Sequence, residues 1–172
     1  MLEKLTSQLK QLLKQEYRYY RRLDRLAVCK KEAIIENSIQ DLGSTLQQEQ
    51  QVIEKLDMLE KERQKLLARM EYQFREKLSD SQAEFNFTFL LEHLPDKKVD
   101  GLREIRDKLL IIIDQLHQKN VKNRMLLEEA IKLNNFSYKM ISSILEPENN
   151  TYNPDQQTKN KSKLRHLMDR KV

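Results

Sequence analysis

Residues 30–49 read KKEAIIENSIQDLGSTLQQE, and the fold turns on them. The apolar pattern that precedes them, spaced by three and four, stops near Glu36. Ser38 followed by Asp41 has the form of a capping box, in which a side-chain hydroxyl satisfies a free backbone N–H at a helix start. One helix therefore ends and another begins within a few residues. So short a connection lays two long helices side by side and antiparallel. The charges agree. In an antiparallel pair, residues at one level have numbers with a constant sum. The register that sets Lys30 against Glu49 also sets Glu16 against Arg63, so one alignment matches two opposite-charge couples. It also stacks Leu23 on Leu56, Leu26 on Ile53, Leu12 on Leu67 and Leu5 on Phe74.

Working outward, each arm carries a seam that has to be buried against another helix. The first runs Leu2, Leu5, Leu9, Leu12, Glu16, Tyr19, Leu23, Leu26, Lys30, Ala33. The second runs Leu42, Leu46, Glu49, Ile53, Leu56, Glu60, Arg63, Leu67, Met70, Phe74. A third follows Pro95: Leu102, Ile105, Leu109, Ile112, Leu116, Lys119, Asn123, Leu126, Ala130, Leu133, Ser137, Met140, Ile144. Between the second and third, Phe85, Phe87 and Phe89 alternate in a manner suited to a strand, but a lone strand has nothing to pair with. Residues 81–87 are therefore expected to plug the bundle end. Thr88 is expected to cap a short helix that Pro95 stops.

The expected fold is all-α: an elongated antiparallel three-helix bundle or coiled coil with a short linker helix and a flexible C-terminal tail. Helices are expected at about 2–36, 40–79, 88–94 and 99–145. These lie in one domain, 1–147, followed by a polar tail, 148–172, in which Leu164 to Met168 could form a turn on a partner. Composition supports this. Of 172 residues, 34% are charged and only 2 are glycine. That excludes turn-rich β folds and glycine-rich phosphate loops. Residues 1–36 carry 9 basic and 5 acidic groups, residues 37–94 carry 7 and 11, and residues 95–145 carry 10 and 7. The middle segment opposes its neighbours in sign, which suits side-by-side packing.

Catalytic and metal chemistry find no foothold. His93, His117 and His166 lack ligand spacing, so no metal or other cofactor is expected. Carboxylates stand among lysines and arginines at helical spacing, as on solvated faces. Cys29 is expected to pack at the edge of the first seam, and a single cysteine fits a reducing, cytoplasmic setting. No apolar run is long enough for a transmembrane segment. Tyr19 and Tyr20 lie among Arg18, Arg21 and Arg22, a mixture that suits nucleic acid, but Tyr19 falls on the seam and the tyrosines read as structural.

The third helix carries more than a seam. Leu127, Ile131, Asn135, Tyr138, Ile141 and Leu145 form a second stripe on a neighbouring face. In a three-helix bundle both stripes can be core, which accounts for the run Leu109–Ile113. Toward the C-terminus Asn134, Asn135 and Ser137 dilute the apolar face. A mixed face of that kind suits reversible docking of an amphipathic helix.

Several phrases taken together resemble the FlgN family. They are Glu16-Tyr17, LeuAspArgLeu at 23–26, KKEAIIENSIQDL at 30–42, LeuGlu-x-x-Arg at 59–63, LEHLP at 91–95, Asn120-x-x-Asn123-Arg124-x-Leu126-Leu127, and Thr151-Tyr152. Their order and spacing cover about residues 1–153. One departure is the tail, where NPDQQ follows the tyrosine instead of an early glycine. The resemblance implies a cytoplasmic chaperone of bacterial flagellar type III export, not an enzyme. Such a chaperone holds hook-filament junction proteins (hook-associated proteins) by their C-terminal amphipathic helices and delivers them to the cytoplasmic domain of the export gate protein. The mixed stripe from Leu127 to Leu145 is the expected client site, and the resemblance further implies that Tyr152 docks on the gate. Two other classes fit the same residues: a homodimeric structural coiled-coil adaptor, and a basic helical protein that binds nucleic acid.

Overall fold

A computed structural model describes residues 2–77, 85, 87–94 and 96–145. The elements, in order, are α1 (Leu2–Ile35), α2 (Ile39–Lys77), α3 (Phe87–His93) and α4 (Asp96–Leu145). The expected continuation of the second helix past Lys77, residues 81–84 and 86 of the connector, Pro95 and the tail lie outside the described residues. The chain divides into two units, residues 1–131 and 132–172. Of the second unit, the described part is the end of α4.

The hinge of the hairpin is local chemistry. Asn37 takes the left-handed backbone conformation, φ 54°, which asparagine tolerates better than most residues. This lets the Ser38 N–H donate to the Ala33 carbonyl at 2.9 Å and the Asn37 N–H donate to the Ile34 carbonyl at 3.2 Å. Those two bonds close the C-terminus of α1 in the Schellman pattern. Ser38 then serves the next helix: the Asp41 N–H donates to its hydroxyl oxygen at 3.3 Å, and that hydroxyl donates to the Asp41 carboxylate at 2.5 Å. One residue thus ends α1 and caps α2.

The expected register holds. Lys30 Nζ lies 2.6 Å from Glu49 Oε2, and Arg63 Nε lies 3.1 Å from Glu16 Oε1. α4 returns parallel to α1. Lys119 Nζ reaches Asp24 Oδ1 at 2.5 Å, and the buried Asn123 amide donates to the Ala27 carbonyl at 2.7 Å. The first unit is therefore an up-down-up helix bundle.

Its apolar interior has two parts. The larger joins Leu5, Leu9 and Leu13 of α1, Leu66, Met70 and Phe74 of α2, Leu90 and Leu91 of α3, and Val99 to Leu109 on α4. The smaller joins Leu23, Leu26, Ala27, Val52 and Leu116. Tyr20 packs against both. In sequence on α1 and α2, the Glu16–Arg63 pair falls between them. The phenylalanines pack as expected against the first core. Phe85 and Phe89 meet Phe74 with ring centroids 5.9 and 6.0 Å apart, and Arg106 lies over the Phe87 ring.

Four expectations need correction. On α2 the buried positions are Thr45, Glu49, Val52, Leu59, Leu66, Met70 and Phe74, whereas Leu46 is 48% and Ile53 43% exposed. From Leu46 to Leu67 every second seam position is therefore one residue earlier than the sequence suggested, while Phe74 is buried as expected, and Val52 takes the place of Ile53 in the core beside Leu26. Leu12 and Leu67, and Leu5 and Phe74, do share the larger core. Thr88 lies inside α3, which begins at Phe87. Cys29 is exposed rather than packed at the seam. In the run Leu109–Ile113 only Leu109 and Ile112 are buried, because a helix contacted on one arc cannot bury five consecutive side chains.

Candidate functional site

α4 is the element whose apolar side chains outnumber its covered positions. In the first unit its seam is met as the spacing predicts: Val99, Leu102, Ile105, Leu109, Ile112 and Leu116 are buried, followed by the half-buried Lys119, the buried Asn123 and the half-buried Leu126 and Ala130. The ion pair to Asp24 and the bond to Ala27 fix α4 against α1 in a parallel register. That register sets the last residue of α1, Ile35, level with the end of the first unit on α4.

The second stripe begins in the same unit. Leu127 is 37% and Ile131 51% exposed. In the second unit each residue from 132 to 141 is exposed. Asn135, Tyr138 and Ile141 of the stripe are among them. The Leu145 side chain and all of Tyr152 lie outside the described residues. Leu133, Ser137, Met140 and Ile144, expected to continue the buried seam, are also exposed. Among the described residues no helix covers them. Phe136, which belonged to neither expected stripe, is 61% exposed. The signal was present, since Leu133, Phe136, Met140 and Ile144 follow one another by three, four and four and so share a face. Apolar surface on the end of α4 thus lies on two neighbouring arcs.

The charged seam of the hairpin is built for register rather than reactivity. Burial raises the Glu16 pKa above its ordinary value, and the Arg63 guanidinium opposes that rise only in part. Arg63 is shared, since its Nη2 also binds Glu60. Its Nε and Glu16 Oε1 form an ion pair without a well-aligned hydrogen bond. The Tyr20 hydroxyl beside this pair is held neutral, its pKa raised by burial and by the neighbouring carboxylates. Among the described residues no group of three or more His, Cys, Asp or Glu side chains could hold a metal ion. None of the described helices is long and apolar enough to cross a membrane.

What this arrangement offers chemically is a helical face on which another amphipathic helix can bury its apolar side. Neither a curated protein nor a solved structure matches the chain. A sequence profile described as FlgN protein matches residues 1–160, through the whole bundle and beyond it. With that match spanning nearly all of its length, the chain belongs to the FlgN family of flagellar export chaperones.

Proposed function

We propose that this chaperone works in the cytoplasm on hook-filament junction proteins (hook-associated proteins). It holds their C-terminal amphipathic helix on the end of α4, with Leu127, Ile131, Asn135, Tyr138, Ile141 and Leu145 as the contact stripe, and Tyr152 docks the loaded complex on the cytoplasmic domain of the export gate protein. The observation that carries the client site is the exposure of Ile131, Tyr138 and Ile141, at 51%, 73% and 56%, on a helix whose earlier seam positions, Leu102 to Leu116, are buried. A junction protein polymerises through helical termini. Covering such a terminus with a matching apolar face keeps it from assembling early, and burial at about 25 cal/mol per Å² supplies the affinity. The gate role rests on the family resemblance and on the chemistry of an aromatic ring followed by Asn153 and Pro154.

The test is co-purification with a junction protein's C-terminal helix. Leu127→Asp and Ile141→Asp should each abolish capture while circular dichroism stays helical. Normal capture by both variants would remove the client site from α4. In the same assay Tyr152→Ala should lower gate binding and leave client capture intact; lost capture would make the tail part of the client site instead.

A further inference from the structure

A second open surface lies away from that stripe, between the end of α1 and the middle of α4. It is a groove of about 560 Å³ whose lining does not include Leu127 or Ile131. Its floor is apolar: Ala27 and Val28 from α1, Met125 and Leu126 from α4. Val28 is 41% and Met125 58% exposed. Methionine is unbranched and polarizable, so it adapts to an incoming side chain. The walls are held apart at a set distance by the Asn123 amide on the Ala27 carbonyl and by the Lys119–Asp24 pair.

The rim carries the specificity. Lys31 on α1 and Lys122 on α4 are exposed lining residues, one on each wall. Lys119 is committed to Asp24, and Glu129 is the lone carboxylate of the lining. Two ammonium groups thus flank an apolar floor from opposite sides. A nucleic acid strand would satisfy the lysines but leave the floor uncovered, and the lining offers no aromatic ring for a base to stack on. A neutral amphipathic helix would cover the floor but leave the rim charges unmatched.

We propose that this groove docks an amphipathic helix of a partner protein that bears carboxylates beside its apolar stripe. The apolar side chains seat on Val28 and Met125, and the carboxylates meet Lys31 and Lys122. The site is independent of the client stripe. Steering by the rim favours encounter with acidic segments, and its contribution weakens as salt screens it.

The test uses the full chain and two labelled leucine-based helical peptides, identical except that glutamate or lysine flanks the leucine stripe. The glutamate peptide should bind more tightly, by up to about tenfold for two exposed ion pairs. Lys31→Gln with Lys122→Gln should erase the preference, and Lys31→Glu with Lys122→Glu should reverse it. Leu127→Asp should leave it unchanged, which separates this groove from the client stripe. Equal binding of both peptides, or an unaltered preference in the Gln pair, overturns the proposal. So does a doubled mass in light scattering without peptide, which would make a second copy the occupant, or displacement of the peptide by a single-stranded oligonucleotide.

Discussion

Two stretches of α4 use the same alphabet and meet opposite fates. From Leu102 to Leu116 apolar residues recur by three and four, and each of these seam positions is at most 8% exposed. From Leu133 to Ile144 they recur with the same spacing, yet Leu133 is 65% and Ile144 68% exposed. Propensity and pattern do not distinguish the two. The difference is that, among the described residues, other helices cover the first stretch and none covers the second. An apolar stripe on a helix states that a partner is required; it does not state that the partner belongs to the same chain.

Truncating one side chain in each stretch tests this difference most directly. Leu102 is fully buried, so Leu102→Ala should cost about 2–5 kcal/mol in urea unfolding, the lost transfer energy plus the cavity left behind. Leu133→Ala should change stability by less than about 0.5 kcal/mol. Comparable losses at both positions would mean that Leu133 is covered in solution and that the contrast is false.

The partnered stretch of the molecule also buries charge, and the effect expected there is smaller. With its pKa raised by burial, Glu16 binds a proton more readily in the folded than in the unfolded protein. Its ionised form therefore costs stability at neutral pH. That cost is relieved as pH falls through the raised value toward the ordinary carboxylate value near 4.5. Glu16→Gln should gain stability at pH 7, by less than about 1 kcal/mol because the site opens on a groove and water screens it. The gain should shrink as pH is lowered toward 4.5. A loss at pH 7 that persists on acidification would show that the Arg63 pair outweighs the burial.

The residues explain why some of this was legible beforehand. Ser38 and Asp41 announced the hairpin, and two charge couples in a single alignment fixed its register, because charges at a seam tolerate few alignments. The α4 seam was legible through Ala130. The α2 seam was misread at alternate positions because three-then-four and four-then-three spacings share every seventh residue. Side-chain hydrophobicity favoured Leu46 and Ile53, while the geometry buried Thr45 and Val52. Past Ala130 the spacing continued but its meaning changed, and Phe136 went unassigned. Among the described residues the burial of the seam ends near Ala130, level with Ile35 at the end of α1, and the length of α1 is a property of another helix.

The turn at Asn37 and Ser38 also has a consequence for the order of folding. Contacts along the hairpin grow more distant in sequence with distance from the turn: Lys30 and Glu49 are 19 residues apart, whereas Asn123 and Ala27 are 96 apart. Loop-closure entropy rises with the logarithm of that separation, so the second contact costs about 1.4 kcal/mol more to close than the first. The hairpin should zip outward from its turn, and α4 should dock on a finished platform. Ser38→Ala should then slow refolding, while Asn123→Ala should mainly hasten unfolding. Stopped-flow rates showing the reverse would place α4 docking in the folding nucleus.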